Sequence, residues 1–473
     1  MFSWREVNPA PGEPVAPDER LPWGRTIGLG AQHVVAMFGA TFVFPLVMGL
    51  DPNLAIMFSG ICTILFLLVC QNKVPSYLGT SASFVASVAA IRAHDNGDSS
   101  YVTGAILVAG LVLAVVGLIV HFGGSQIIHR VLPPAVTGAV VMLIGFNLAP
   151  VVAGIYWPQD QWIALMVATF MVCAAVLLPG FWARIAVLLA LVFGYLLSWF
   201  ADAVFGTINS VIPTSNGAKV EHDRISWTGV KAADWVGFPH GKLADGVSVV
   251  HGPSFSLTFI LLVLPGVIAL IAENTGHVKA VAEMTKTDLD PYMGRALFAD
   301  GAATALSSAF GGSPTTTYAE NIGVMGATKV YSTAAYYVAA VVAILLGLCP
   351  KFGAIVSATP GGVLGGITVI LYGMIGLVGA KIWVENGVDF GDPVNMVGLS
   401  AGLIAGIGGV TLTFTDNFEL SGIALGTILV IVYFHLVNGR GRRGPHYTTE
   451  ALSHPDEPTD VPAPGHRTGP AQE

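Results

Sequence analysis

Two glutamates stand in stretches of the chain that are otherwise apolar and rich in glycine. In the segment from Tyr318 to Lys329, no charge separates Glu320 from that lysine, and none separates it from Asp300 upstream. A carboxylate at the centre of a membrane helix costs about 2.5–3.5 kcal/mol on insertion scales, and such residues usually mark a substrate or ion path. Glu320 is therefore the first candidate for a functional site.

The second glutamate, Glu273, follows the charge-free run 246–272 and precedes His277 by four residues. Residues four apart lie on one face of a helix, so this carboxylate and imidazole can share a proton. A structural hydrogen bond between helices is the alternative. The spacing predicts a proton-carrying pair inside the bilayer.

Two further titratable residues are weaker candidates. His33 lies in the first apolar run, where a lone histidine often satisfies only a backbone carbonyl. Asp300 lies near the predicted inner end of a span, where water can reach it. The residues alone leave the roles of both open.

The elements that position these residues follow from composition. Hydrophobic residues make up 53% of the 473 residues, charged residues 11%, and 57 are glycine; the mean hydropathy is +0.70. These values indicate an all-α polytopic membrane protein. Runs able to cross about 30 Å of hydrocarbon are 26–50, 52–72, 74–91, 99–129, 131–158, 161–183, 185–201, 246–272, 330–350, 352–380, 393–415 and 420–439. Shorter, broken segments near 296–311 and 314–326 bring the predicted total to about fourteen.

The sequence gives no support for catalysis. No His, Cys and Asp cluster has metal-ligand spacing, and the serines and cysteines lack a paired base with an orienting acid. The cysteines all lie in or beside apolar runs, which predicts buried small side chains and no disulfide framework; they are Cys62, Cys70, Cys173 and Cys349. We therefore expect neither an enzyme nor a bound metal or cofactor.

Lysine and arginine placement predicts the orientation. Short loops on one side hold Lys73, Arg130, Arg184, Lys279, Lys286, Arg295, Lys329 and Lys381, whereas those on the other hold Arg92 and Lys351. The positive-inside rule then places both termini in the cytoplasm, and the first run is a retained helix. This predicts a multi-pass protein of the cell membrane.

Two long parts of the chain are similar to each other. Residues 58–81 resemble 298–318, and 134–138 resemble 360–365. Offsets of roughly 225–240 residues, with an odd number of spans in each copy, predict two inverted seven-span repeats. The predicted domains are a cytoplasmic tail (1–24), a first repeat (25–206), an extracellular linker (207–252), a second repeat (253–438) and a disordered cytoplasmic tail (439–473).

Each repeat contains a break in its third span. Residues 75–84 and 313–320 each have a proline at or near their start, are rich in hydroxyl residues and glycine, and are too short to span the bilayer alone. Each is predicted to form an extended piece that leads into a half-helix near the midplane. The half-helix expected after Glu320 would help hold that carboxylate ionised.

The segment from Glu320 to Lys329 fits the pattern E/Q-N-x-G-x-x-x-x-T-K. This pattern is the signature of the nucleobase–ascorbate transporters, or nucleobase:cation symporters of type two, and the chain resembles that family. Segments 32–40, 75–81 and 272–277 resemble the family's other hallmark segments, over roughly residues 22–437 in all. A glutamate at the first position is typical of bacterial uracil:proton symporters.

The resemblance implies a core domain of spans 1–4 and 8–11, a gate domain of spans 5–7 and 12–14, an elevator-like motion and a homodimer. It also implies that Glu273 and Glu320 contact the base and that His277 is a polar partner of Glu273. His33 matches a supporting residue, which we group with Glu273 and His277 in proton coupling.

The pocket implied by the resemblance is lined by Ala40, Tyr318, Ala319 and the residue at position 82. Two positions depart from the pattern of the uracil carriers. Ala82 replaces a phenylalanine that stacks on the base, and Ala319 replaces a glycine. Ala319 keeps its backbone N–H, whereas the change at position 82 leaves the preferred base open.

The expected function is uptake of a neutral base, uracil first, driven by protons. Uracil offers two N–H donors between carbonyl acceptors, which a carboxylate and backbone N–H groups can recognise. A purine or xanthine carrier, or coupling to Na⁺ in place of H⁺, is the alternative within the family. A channel fits less well, since a buried titratable site with two half-helices suits alternating access.

Overall fold

A computed structural model describes residues 4–10, 13–94, 97–124, 128, 132–211, 218–415 and 418–441. Arg130 and residues 442–473 of the predicted tail lie outside the described residues. The helices of the first half are α1 (Trp23–Met48), α2 (Pro52–Val69), α3 (Val85–Arg92), α4 (Ser99–Gly123), α5 (Pro134–Phe146), α6 (Gln161–Leu177) and α7 (Ala186–Phe205).

The second half repeats this order with one added helix. Its helices are α8 (Leu257–Thr285), α9 (Asp290–Ala309), α10 (Ala319–Thr328), α11 (Thr333–Gly347), α12 (Pro350–Ser357), α13 (Gly361–Glu385), α14 (Pro393–Ile407) and α15 (Gly422–Gly441). The strands are β1 (Arg5–Glu6), β2 (Glu19–Arg20), β3 (Leu78–Thr80), β4 (Ile208–Val211), β5 (Lys219–His222), β6 (Thr315–Thr317), β7 (Thr411–Thr415) and β8 (Phe418–Ser421). Short helical turns lie at 82–84, 149–159, 181–184 and 228–232.

Aspartate caps mark the start of several apolar helices. The side chain of Asp51 accepts a hydrogen bond from Leu54 N, and Pro52 occupies the first helical position of α2. Asp98 caps α4 in the same way by accepting from two backbone N–H groups. Asp160 and Asp392 cap α6 and α14. Charged residues therefore sit at the ends of these helices, and the apolar runs lie between them.

The polytopic membrane fold is confirmed, and the count of fourteen spans remains a prediction. Seven described helices are long and apolar enough to cross a membrane, and the pair α11 and α12, bent by 80°, makes an eighth. Four shorter apolar helices cover 82–92, 161–177, 393–407 and 422–438.

The predicted run 131–158 forms one candidate span, Pro134–Gln159, in which α5 continues into irregular helical turns at 149–159. One predicted run is not a single helix. The run 352–380 includes part of α12 and part of α13, because Pro360 lies between them and has no backbone N–H to continue a helix.

The helices form two bodies that correspond to the expected core and gate. In the core, α9 packs along α4, and their counterparts α2 and α11 pack together in the same way. Gly60 and Gly301 allow these close approaches, since a Cβ at either position would lie 2.3 Å from Ala340 O or Ala114 N, respectively. In the gate, α13 packs on α5 and α6, and α14 packs on α15.

The 207–252 linker contacts both bodies at one end of the molecule. Arg224 forms ion pairs with Asp160 (2.8 Å) and Asp202 (3.0 Å) of the gate. Asp245 pairs with Arg92 (2.6 Å), at the end of α3 in the core.

The N-terminal segment packs on the core at the opposite end. Val15 is fully buried and pairs with the chain after α10, since its N–H donates to Lys329 O (2.9 Å) and its carbonyl accepts from Tyr331 N (2.8 Å). Thr333 donates to Pro17 O through both N and Oγ1, and Trp4 Nε1 donates to Thr333 Oγ1 (2.8 Å).

Candidate functional site

The site is built around two short strands that meet and pair side by side in the middle of the core. We call this pair the strand crossing. Strand β3 pairs antiparallel with β6, in the register Leu78 with Thr317, Gly79 with Thr316 and Thr80 with Thr315. The pairing extends by a hydrogen bond at each end, from Tyr318 N to Tyr77 O and from Ser81 N to Pro314 O. Both strands are buried, so their remaining polar groups must find partners within the protein.

A helix begins directly after each strand, and this confirms the predicted half-helices. The first comprises a turn at Ala82–Phe84 and α3, and the second is α10. Helix α10 begins at Ala319, so Glu320 lies in its first turn and the expectation that the helix follows Glu320 is wrong by two residues. Both helix N-termini lie beside the strand crossing, where their unpaired N–H groups create a partial positive field.

The two glutamates lie in the same region. Glu273 and Glu320 are half-buried, and they are close enough to repel each other electrostatically, as Glu273 and Asp300 also are. Among the described residues, none of these three carboxylates forms an ion pair with lysine or arginine. The site thus collects acceptor oxygens without a fixed cation beside them.

A chain of hydrogen bonds runs from His277 to the buried Asp300. Nδ1 of His277 lies 2.7 Å from Thr317 Oγ1, and that hydroxyl donates to Asn274 Oδ1 (3.1 Å). Asn274 Nδ2 donates to Asp300 Oδ2 (2.7 Å). His277 is brought close to Glu273 by their shared helix, but its ring forms a hydrogen bond with Thr317 of strand β6.

Comparison with known proteins identifies the family. A family model described as the permease family matches residues 24–414. RutG of Escherichia coli (strain K12), whose name describes it as a pyrimidine permease, is 43% identical over 88% of this chain and 90% of its own length. The uracil permease of Escherichia coli (strain K12) is 35% identical over 87% of this chain and 91% of its own length. The chain belongs to the permease family of nucleobase–ascorbate transporters.

Solved structures with low sequence identity share the fold of this permease. The transmembrane domain of a cyanobacterium bicarbonate transporter, BicA, aligns with a TM-score of 0.54 at 14% identity, over 86% of this chain and 96% of that one. The murine Solute Carrier 26 family member A9, in its inward-facing state, aligns with a TM-score of 0.61 at 12% identity, over 87% and 68%. The permease is a transporter with the core and gate fold, and it is not an enzyme.

His33 of the permease contacts residues of α10 and α11. Asn321 Nδ2 donates to His33 O (3.0 Å) and lies 3.2 Å from His33 Nδ1, and the His33 ring packs on Tyr336 with centroids 4.4 Å apart. These contacts fix Asn321, the neighbour of Glu320. His33 therefore supports the start of α10 through Asn321, whereas a part for His33 in proton coupling stays a prediction.

The predicted pocket residues differ in accessibility. Ala319 is exposed and Ala82 is half-buried, whereas Ala40 and Tyr318 are only 7% and 4% exposed. The Tyr318 hydroxyl donates to Thr80 O (2.8 Å) and accepts from Thr41 Oγ1 (3.2 Å), so Tyr318 also joins the two strands.

The aromatic ring nearest to Ala82 in sequence is that of Phe84. Phe84 is fully buried, and its ring packs against Gly266 of α8, where a Cβ would lie 2.8 Å from it. Position 82 itself carries only a methyl group.

Sequence reasoning missed three polar residues at this site. Asn274, Thr317 and Asn321 are all buried and make the hydrogen bonds that hold His277 and the start of α10. Asn274 and Asn321 each directly follow a predicted glutamate, and an uncharged amide in such an apolar run was the available signal. Thr317 stands in a run of three threonines, and only the pairing of β6 shows which one faces α8.

Proposed function

We propose that this permease imports a nucleobase, uracil first, together with protons. The observation that carries the proposal is the set of half-buried carboxylates at the strand crossing, without a lysine or arginine partner in the described part of the chain. Carboxylates accept hydrogen bonds from ring N–H groups, and free backbone N–H groups at the start of α10 can meet a ring carbonyl. An anion would be repelled by the same carboxylates.

Glu320 is the proposed recognition group and Glu273 the proposed proton carrier. Glu320 lies in the first turn of α10, where its position is fixed by the helix and by Asn321. Glu273 lies near two other carboxylates, so a proton on it relieves repulsion when the site is empty. His277, four residues on, is available to exchange that proton.

Proton entry supplies enough free energy for accumulation. One proton that moves down about 100 mV releases about 2.3 kcal/mol, and each pH unit adds about 1.4 kcal/mol. A tenfold proton gradient plus that voltage therefore supports accumulation of about several hundredfold.

Purines form the second candidate class of substrate. Ala82 carries no ring, so a base bound beside position 82 would have more room than a phenylalanine there would leave. The deciding experiment is uptake of labelled uracil into proteoliposomes under imposed pH or Na⁺ gradients. Uracil, thymine, xanthine and urate are the competitors. Saturable uptake that follows the pH gradient supports the proposal, and uptake that is non-saturating or follows only Na⁺ contradicts it.

The proposed transport cycle moves the core as a unit against the gate in a homodimer. A second cluster of buried side chains, mainly from α6, α7 and α13 of the gate, supports a body distinct from the centre of the core; it contains Tyr156, Val167, Leu191, Val363 and Ile367. An apolar groove of about 450 Å³ between α5 and α13 supports a contact between gates. Native mass spectrometry in lipid nanodiscs tests the dimer, and a monomer under all lipid conditions contradicts it.

Both termini are proposed to lie in the cytoplasm of a cell-membrane protein. Ser226 is exposed in the linker and Thr287 is exposed between α8 and α9. In a Cys173→Ser background, an impermeant thiol reagent applied to whole cells should label Ser226→Cys and leave Thr287→Cys unlabelled. The reverse pattern contradicts the orientation.

A further inference from the structure

The orientation of the Asn274 side chain is determined by its neighbours. Its Nδ2 donates to the backbone carbonyl of Leu270 (3.0 Å) and to Asp300 Oδ2 (2.7 Å). A backbone carbonyl can only accept, so an amide turned by 180° would place two acceptors against each other. The carbonyl Oδ1 of Asn274 must therefore face Thr317.

The direction of the next two hydrogen bonds follows. Asn274 Oδ1 can only accept, so the single hydroxyl hydrogen of Thr317 points toward it (3.1 Å). Thr317 Oγ1 can then only accept from His277 Nδ1, at 2.7 Å. His277 Nδ1 consequently carries a hydrogen, and in the neutral ring the lone pair belongs to Nε2.

Asp300 ends this chain, and apart from its electrostatic repulsion of Glu273 it has no part in the proposed transport. Its side chain is fully buried on α9, and Thr315 Oγ1 lies 3.5 Å from its second oxygen. It thereby links α9 to α8 and, through Thr317, to β6. We propose that Asp300 is a positioning residue: through Asn274 and Thr317 it holds His277 as the Nδ1–H tautomer, so that Nε2 presents a lone pair to the site.

The proposed tautomer has a consequence for ligand recognition, and this consequence rests on the proposed function. With Nε2 unprotonated, His277 is an acceptor for an N–H of the base or for the proton of Glu273. With the opposite tautomer, Nε2–H would compete with the base for the carboxylates. The chain from Asp300 therefore supports recognition of a ligand that donates hydrogen bonds.

His33 provides an internal contrast within the same protein. Asn321 Nδ2 must also donate, because it contacts His33 O, so His33 Nδ1 accepts and Nε2 carries the hydrogen. The two histidines are thus expected to have opposite tautomers.

The test measures the tautomer directly, without any substrate. The whole permease is labelled with ¹⁵N-histidine, placed in lipid bilayers and studied by solid-state NMR, and the His277 and His33 signals are assigned by their loss in His277→Gln and His33→Gln. Unmodified protein should show His277 protonated at Nδ1 and His33 protonated at Nε2. A His277 signal protonated at Nε2 overturns the proposal.

Two matched pairs of variants test the chain itself. Thr317→Val keeps the side-chain shape and removes the hydroxyl, so it should abolish the Nδ1–H state, whereas Thr317→Ser should keep it. Asp300→Asn still offers a carbonyl oxygen to Asn274 and should keep the tautomer, whereas Asp300→Leu leaves only the Leu270 carbonyl (3.0 Å) to orient the amide and should give a mixture of tautomers. An unchanged His277 signal in Thr317→Val or in Asp300→Leu contradicts the proposal.

Calorimetry with uracil then measures the effect on binding. Thr317→Val should weaken uracil binding about two- to tenfold, the range for one neutral hydrogen bond. Thr275→Val is the control, because Thr275 is on the same helix and its hydroxyl has no partner among the described residues.

If Asp300 acts through its charge instead, Asp300→Asn loses binding as fully as Asp300→Leu while Thr317→Val binds normally, and the positioning role is wrong. Unmodified protein that binds no uracil but has the expected tautomers refutes the proposed substrate and leaves the chain intact.

Discussion

The half-helices α3 and α10 start from the same pair of strands but end in different surroundings. Arg92, the last residue of α3, donates to Met48 O and Ser99 Oγ and pairs with Asp245 of the linker. Lys329 follows α10 and bonds through its carbonyl to the buried Val15 of the N-terminal segment. One half-helix is held by charges and the other by backbone pairing.

The chemistry of the site follows the same division. The titratable candidates Glu273, His277, Asp300 and Glu320 all belong to the second repeat, whereas the first repeat contributes His33 and the small residue Ala82. Backbone pairing at the end of α10 adds no net charge near Glu320. Apart from His33, the titratable side chains proposed to bind the base and carry protons therefore come from the second repeat, and the first repeat contributes mainly the shape of the proposed site.

The largest effect should come from Glu273→Gln. A glutamine cannot exchange a proton, so the site can no longer change its charge between its outward and inward states. We expect uracil binding to remain measurable and gradient-driven accumulation to disappear. Counterflow and accumulation in proteoliposomes measure the two separately, and accumulation against a gradient by this variant would refute the assignment.

Glu320→Gln should weaken binding by about ten- to hundredfold. The amide replaces two acceptor oxygens with one acceptor and a donor, so a ring N–H loses a charge-assisted bond worth about 1.5–3 kcal/mol. Calorimetry measures uracil binding by Glu320→Gln and by Glu273→Gln under the same conditions, and this gives the matched comparison. Normal uracil binding by Glu320→Gln, together with none by Glu273→Gln, reverses the proposed division.

Ala82→Phe tests whether the first repeat determines shape. Without an aromatic ring at position 82, 5-substituted uracils should compete for uptake nearly as well as uracil. Restoring the ring should lower competition by 5-substituted uracils by about tenfold, since overpacking costs about 1–3 kcal/mol. Selectivity that does not change on substitution shows that residue 82 does not face the base.

Asp245→Asn should destabilise the charged end of α3. Burial alone would raise the pKa of Asp245, but hydrogen bonds from Ser99 and Arg92 and from the backbone N–H groups of Val247 and Ser99 lower it to about 2. A lowered pKa contributes stability above the unfolded value of about 3.9, and this stability is lost as the pH falls through about 2.

After allowance for solvent screening, the loss should be about 1 kcal/mol at neutral pH. Thermal unfolding in detergent measures it, with the exposed linker variant Asp223→Asn as the control. Equal melting temperatures for both variants at pH 7 and at pH 3 would contradict a stabilising role for the ion pair between Arg92 and Asp245.

Thr333→Val should give the smallest effect, at the uncharged end of α10. The change removes the hydroxyl that accepts from Trp4 Nε1 and donates to Pro17 O. Because these bonds hold only the N-terminal segment, their loss should show as local opening of that segment and should hardly change the melting temperature of the whole protein. Trypsin should cut faster after Arg20 in this variant, whereas Thr333→Ser should match unmodified protein. Effects on melting as large as those of Asp245→Asn would remove the contrast between the two ends.

Much of the fold is predictable because hydrophobic periodicity and proline breaks are local signals. The membrane class, the strands at 78–80 and 315–317 and the half-helices after them all agree with expectation. The break before Gly361 was missed, because a break in an apolar run depends on tertiary packing that supplies partners for the freed backbone groups, and the sequence does not show that packing.

The site was predictable only in part, for a similar reason. A carboxylate in an apolar run is visible at once because its burial is costly. Asn274 and Thr317 are not visible in this way, since their role depends on which residues strand pairing and helix packing place opposite them. The contact of His33 with Asn321 joins residues that are 288 positions apart.

The glycines between paired helices limit how this sequence can drift. A methyl group at Gly60 would lie 2.3 Å from the carbonyl oxygen of Ala340, and one at Gly301 would lie 2.5 Å from that of Gly110. Backbone atoms cannot rotate away as a side chain can, so an alanine at either position must separate two helices along their length. Tolerated changes in the core should therefore accumulate on lipid-facing positions, and the helix contacts beneath the site should vary least between descendants of this chain.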